Sequence, residues 1–120
     1  SEPLRARIEK SMATPAIDYL AAKDRMPHVM GAFDEYFATY DAILCPSALG
    51  TAPEGLASTG NPIMQTTRSF AGLPCVNLPL MNLSNGLPLG VQAVGAYQND
   101  ARLLRSSRWL VSEFVKRNVA

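Results

Sequence analysis

Two short apolar runs separated by a turn constrain the fold of this chain more than any other feature. Residues 75–78 and 89–94 are almost wholly apolar, and Ser84-Asn85-Gly86 lies between them. Asn-Gly favours a tight hairpin turn, because glycine lacks a Cβ and asparagine tolerates positive φ. Strands that do not alternate between apolar and polar residues are usually covered on both faces. The stretch therefore predicts two central strands of a layered α/β domain.

The same tripeptide precedes each run, as Gly72-Leu73-Pro74 and as Gly86-Leu87-Pro88. Proline has no backbone donor, and it is tolerated at the start of a strand, where no ladder hydrogen bond is lost. From the residues alone, a plain buried hairpin without a function remains open beside any functional interpretation.

Periodicity and end signals predict the remaining elements. Helices are expected at about residues 2–12, 15–39, 62–71 and 99–117, and strands at about 41–45, 75–79 and 89–95. Pro27 lies inside the second helix, where proline removes a hydrogen bond, so a kink or a break into two helices is expected. The order strand, helix, strand predicts a right-handed parallel crossover, to which the hairpin adds the last strand antiparallel.

Composition argues against several classes of partner. The chain has 11 Lys and Arg against 10 Asp and Glu, so no charge excess suggests nucleic acid. No apolar run approaches the roughly 20 residues needed to span a membrane, and the first twelve residues do not look like a signal peptide. Cys45 and Cys75 form no Cys-x-x-Cys pattern. We expect reduced thiols, a cytoplasmic location, and neither a membrane nor a nucleic-acid partner.

Familiar catalytic and metal-binding patterns are missing from the sequence. His28 is the only histidine, and no Gly-x-Ser-x-Gly elbow accompanies it. No cluster of His, Cys, Asp and Glu has the spacing of metal ligands. Asp34 and Glu35 are neighbours on a predicted helix and point in different directions, which is typical of a solvated face. These observations predict no catalytic residue and no metal ligand in this chain.

An ordered set of short motifs resembles the C-terminal part of amidase signature family enzymes, over about residues 18–110. The motifs are Tyr40-Asp41-Ala42-Ile43-Leu44-Cys45-Pro46, Gly60-Asn61-Pro62, Phe70-Ala71-Gly72-Leu73-Pro74, Asn85-Gly86-Leu87-Pro88-Leu89-Gly90-Val91-Gln92 and Asp100-Ala101-Arg102-Leu103-Leu104. The resemblance implies an α/β fold with a few mixed strands and covering helices, forming the C-terminal part of the amidase signature fold.

The resemblance also implies the chemistry of a longer protein. Amidase signature enzymes cleave carbon–nitrogen amide bonds with a Ser–Ser–Lys triad and no cofactor, and these groups belong to an earlier region of the family. This chain has no Gly/Ser-rich stretch of the family's type, and its three lysines fall on predicted helices. No catalytic residue is carried over, and the isolated chain is expected to be inactive.

Residues 60–74 match a family segment that lies along the substrate pocket. The substrate-binding candidates that this match implies are Asn61, Gln65, Arg68 and Ser69. The family commonly has Asp where this chain has Asn61, and an aromatic wall where it has Arg68. If Arg68 points into the pocket, an acidic or strongly polar substrate would suit it. The alternative is that Asn61 only caps a helix and Arg68 lies on the surface.

Three interpretations of the whole chain stay open. The first is a piece of an amidase that supplies scaffold and part of the substrate wall, with an amide substrate and the upstream part of the enzyme as partners. The second is a non-catalytic binding or assembly module, and the third is an independent small α/β domain. Since three strands leave an exposed sheet edge and face, self-association as a homo-oligomer is expected. Gln92, polar in an apolar strand, is expected to be buried and hydrogen-bonded to a neighbouring loop.

Overall fold

The computed structural model describes residues 2–118, which form four helices and three strands. In chain order they are α1 Glu2–Met12, α2 Ala16–Phe37, β1 Ile43–Pro46, α3 Ile63–Phe70, β2 Cys75–Asn82, β3 Pro88–Val94 and α4 Asp100–Asn118. The predicted α/β class is confirmed. Helix α2 continues without interruption through Pro27, so the alternative of two separate helices is wrong.

The three strands form one sheet in the order β1-β3-β2. Strand β3 pairs antiparallel with both neighbours, and Val94 lies opposite Ile43 on one side and Cys75 on the other. Strands β1 and β2 therefore run in the same direction, as the crossover predicts, but they are not neighbours. The middle strand, β3, is also the most buried of the three.

Strand β2 extends beyond its predicted end because a bulge accommodates Pro79. Leu78 pairs with Val91 and Met81 pairs with Leu89, so β2 has one residue more than β3 across this interval. Proline cannot donate to the ladder, and a bulge is a position where the missing bond is tolerated. The pairing then resumes as far as Asn82.

The hairpin turn differs from the predicted Asn-Gly turn. The Gly86 N–H donates to the Leu83 carbonyl at 2.9 Å, and the Leu83 N–H donates to the Leu87 carbonyl at 3.0 Å. Gly86 has φ 78°, whereas Asn85 is not among the residues with positive φ. The connection is therefore a three-residue loop that ends in a left-handed glycine, not a two-residue turn with positive φ at both positions.

The first Gly-Leu-Pro tripeptide ends α3 in a similar conformation. Gly72 has φ 66°. The Gly72 N–H donates to the Ser69 carbonyl, and the Leu73 N–H donates to the Arg68 carbonyl at 3.0 Å. These two bonds form a Schellman motif, which requires a left-handed residue and so favours glycine. The repeated tripeptide thus marks a left-handed glycine before each strand of the hairpin.

Helices cover both faces of the sheet. One face carries Val94 and packs against α2 and the end of α3, in a core that contains Phe37, Ala71 and Leu73. The other face carries Leu78 and Ala93 and packs against Leu103 of α4. This arrangement places α3 directly above a sheet face that also bears polar residues.

Candidate functional site

Helix α3 turns two of the four sequence candidates towards the protein interior and buries one of them. Arg68 is only 9% exposed, although it is charged. Met64, one turn earlier, and Gln65 are half-buried, whereas Asn61 and Ser69 are exposed. The four candidates therefore do not form one cluster, because the helix turns Gln65 and Arg68 inward and leaves the other two at the surface.

Asn61 stabilises the start of α3. Its Oδ1 accepts a hydrogen bond from the Ile63 N–H at 3.0 Å. The first N–H groups of a helix have no partner within the helix, so a side-chain oxygen at this position contributes to helix stability. The contact supports the alternative in which Asn61 is a capping residue.

Gln65 ties α3 to the segment that follows β1. Its Nε2 donates to the Ser47 carbonyl. Ser47 is held in turn by β3, since its N–H and its Oγ donate to the Gly90 carbonyl at 2.9 Å and 2.8 Å. This chain of hydrogen bonds fixes the position of α3 relative to the sheet.

Arg68 lies against the sheet and is not satisfied by its surroundings. Its Nη1 donates to the Sγ of Cys45 at 2.7 Å. Nε and Nη2 are buried and have no hydrogen-bond partner among residues 2–118. The alternative of a surface arginine is therefore wrong. A buried guanidinium with two free donors is costly, and the cost falls when an anion pairs with it.

The sheet face below Arg68 carries a polar row across all three strands. Cys45, Gln92 and Asn77 lie directly opposite one another. Gln92 is buried as expected, at 7% exposure, but its Oε1 has no partner within the described part of the chain. The Gln92 amide is thus only partly hydrogen-bonded, through a bond to the Cys75 thiol of the neighbouring strand rather than through Oε1 to a loop.

Cys75 lies two residues before Asn77 on the same face. Cys75 is exposed as a residue, but partial burial of its thiol raises the pKa, while a hydrogen bond from Gln92 and the charge of Arg68 oppose that rise. The free thiols of Cys45 and Cys75 are thus both near the positive charge of Arg68. From the sequence we predicted only that both thiols are reduced, and this relation was missed.

Two cavities adjoin α3. One of about 810 Å³ includes Asn61 and Gln65 in its lining and lies along residues 48–53. The other, of about 290 Å³, borders Arg68 and is otherwise mainly apolar. The helix thus has a polar groove at its start and a small apolar pocket beside its buried charge.

Within residues 2–118, no three or more His, Cys, Asp and Glu side chains are arranged to hold a metal ion. None of the helices in this range combines the length and apolar character that a membrane crossing requires.

The sheet, its helices on both faces and the pocket beside α3 define an α/β protein with a polar site between a helix and a sheet. A family model of amidases matches residues 2–104. The chain therefore belongs to the amidase family, in agreement with the resemblance of its motifs.

Individual relatives support this assignment. A glutamyl-tRNA(Gln) amidotransferase subunit from Agathobacter rectalis is 35% identical over 96 residues, which are 74% of this chain and 19% of that protein. The corresponding protein of Neisseria meningitidis is 36% identical over 93 residues, 72% of this chain and 19% of that protein. The chain thus spans about a fifth of the length of these curated relatives.

A solved structure is also similar. It is described as a crystal structure of amidase and has a TM-score of 0.75 at 27% sequence identity. The similarity covers 94% of this chain and 29% of that one. Nearly all of the described fold therefore has a counterpart in a known amidase.

Proposed function

We propose that this chain is the C-terminal part of a hydrolase that cleaves carbon–nitrogen amide bonds, and that it supplies scaffold and one wall of the substrate site. The observation that supports this most directly is the similarity of almost the whole fold to a solved amidase. The proposal includes an amide substrate, a cytoplasmic location and assembly with the upstream part of the same enzyme.

The catalytic groups come from outside these residues. Amide hydrolysis requires a nucleophile to attack the carbonyl carbon, donors to stabilise the oxyanion and a proton for the leaving nitrogen. His28 is exposed on α2, away from the buried polar residues beneath α3. The chain therefore positions substrate and does not itself carry the reaction.

Helix α3 forms the proposed wall of the substrate site. Asn61 holds the start of the helix, and Gln65 fixes the helix to Ser47. Arg68 is the candidate with unused donors, because its buried Nε and Nη2 have no partner within residues 2–118 and its side chain borders the smaller cavity. Ser69 lies on the outer side and would contact substrate only where the remaining part of the enzyme covers α3.

The shape of the chain supports its role as part of a larger protein. Its radius of gyration is 17.6 Å, whereas a compact domain of this length has about 14 Å. Helix α1 leaves its apolar stripe of Leu4, Ile8 and Met12 largely exposed. These surfaces favour association and count against an independent small domain, so we propose that the isolated chain self-associates.

Ammonia release from a panel of primary amides tests the proposal. The complete protein that contains these residues is expected to hydrolyse at least one amide, and residues 1–120 alone are expected to show only the background rate. Binding of amides without turnover by the complete protein would instead favour the non-catalytic module. Turnover by residues 1–120 that Ser69→Ala abolishes would contradict the assignment of catalysis to the remaining part of the enzyme.

A further inference from the structure

Arg68 is a buried cation for which the described residues supply no anion. The ion pairs formed within residues 2–118 join Arg102 to Asp41 and Lys116 to Glu113. Arg68 itself donates only to the thiol of Cys45, while Nε and Nη2 remain without partners in this range. A buried unpaired charge is strongly unfavourable, so these two donors indicate a place for a negatively charged group.

The two free donors have a specific geometry. Nε and Nη2 lie side by side on one edge of the planar guanidinium and form a fork. A fork of this kind matches the two oxygens of a carboxylate, which it binds through two parallel hydrogen bonds. Nη1, which lies on the other side of the group, is already directed at Cys45 and fixes the orientation of the fork.

The side chains around Arg68 favour a ligand with one negative charge over a ligand with two. The adjoining cavity of about 290 Å³ is lined, besides Arg68, by Phe33, Ile43, Ile63, Met64, Thr67 and Val94. A single guanidinium neutralises a monocarboxylate, whereas a phosphate dianion would retain excess charge in an apolar cavity. The apolar lining in turn suits an aliphatic or aromatic body attached to the acid.

We propose that Arg68 binds a carboxylate attached to an apolar group, with Nε and Nη2 donating to its two oxygens. The carboxylate has two possible sources. The first source is a small acid. In that case the amide substrate carries an acidic group, and this part of the inference rests on the proposed function. The second source is an Asp or Glu side chain of the protein beyond residues 1–120. That alternative is independent of the proposed function.

Calorimetric titration of the complete protein tests the proposal with butyrate, its neutral analogue butyramide, and inorganic phosphate. If a small acid is the ligand, butyrate binds, whereas butyramide and phosphate bind at least about tenfold more weakly. Arg68→Met weakens butyrate binding by at least about tenfold. The control Arg108→Met, which removes an exposed arginine of α4, leaves it unchanged.

If a side chain is the source, butyrate does not bind the complete protein. Its crystal structure then has Asp or Glu oxygens at about 2.7–2.9 Å from Nε and Nη2. Arg68→Met lowers the thermal midpoint, and Arg108→Met does not.

The inference is overturned if butyrate binds wild type and Arg68→Met equally. It is also overturned if a crystal structure of the complete protein, grown with butyrate, has no carboxylate at Nε and Nη2. This crystal structure uses the wild-type protein, so the test does not depend on whether a variant folds. Should Arg68→Met not fold, Arg68→Lys keeps the charge, loses the fork and weakens butyrate binding several-fold. Butyrate binding without amide turnover would contradict only the proposed function.

Discussion

Gly95 directly follows β3 and lies against Leu103 of α4. A Cβ at this position would lie 2.9 Å from the Cβ of Leu103 and 3.2 Å from its Cδ2. Leu103 is 2% exposed, and its Cβ moves only with the helix backbone. Gly95→Ala therefore has to displace α4 from the sheet.

The magnitude follows from two opposing terms. Overpacking of a well-packed core costs about 1–3 kcal/mol. Replacing glycine by alanine stabilises by about 0.4–1 kcal/mol where the backbone conformation allows it, and Gly95 is not among the residues with positive φ. We expect Gly95→Ala to lower the free energy of unfolding by about 1–2 kcal/mol.

Urea unfolding, followed by circular dichroism at one protein concentration, measures the change. The matched control is Gly31→Ala in α2, where a Cβ would meet nothing within 4 Å. A helix interior favours alanine, so this variant should gain about 0.5–1 kcal/mol. A Gly95→Ala midpoint at or above that of wild type, with an unchanged urea dependence, would refute the close packing of α4 on β3.

Three further outcomes follow from particular residues. Gly86→Ala should cost about 1–2 kcal/mol in urea unfolding, because φ 78° is unfavourable for alanine even though the space is open. Gln92→Leu should lower the free energy of unfolding by no more than about 1 kcal/mol, less than the roughly 1–3 kcal/mol of a fully bonded buried amide, because within residues 2–118 only the bond to the Cys75 thiol is lost and Oε1 has no partner; a loss of about 2 kcal/mol or more would contradict this. Iodoacetamide should alkylate Cys75 with a pH midpoint above that of an ordinary thiol, because its raised pKa reduces the thiolate; Arg68→Met should move that midpoint higher, and peptide mass mapping separates Cys75 from the second thiol.

Local signals in the sequence predicted the elements well. The four-residue spacing of apolar side chains predicts α1 at about residues 2–12, where the structure has Glu2–Met12. The Gly-Leu-Pro tripeptides predict the starts of β2 and β3, because proline and left-handed glycine act through local geometry. The extension of β2 past Pro79 was not predicted, since a bulge depends on the partner strand.

Relations between distant residues were not predictable in the same way. The insertion of β3 between β1 and β2 depends on pairing between residues about 50 positions apart, such as Ile43 and Val94. The burial of Arg68 depends on the face that α3 turns to the sheet. Met64 and Arg68 are four residues apart, so they share one side of α3. A search for charges on the apolar side of each predicted helix would have found this arginine.

Reassembly of the enzyme from two separately produced parts tests the central claim most directly. Residues 1–120 and the proposed upstream part of the enzyme are mixed, and both sedimentation and ammonia release from an amide are measured. We expect the two parts to form a stable complex, and amide hydrolysis to appear only in the mixture. A compact monomer of residues 1–120 that melts cooperatively, ignores the remainder and leaves the mixture without hydrolysis would contradict it.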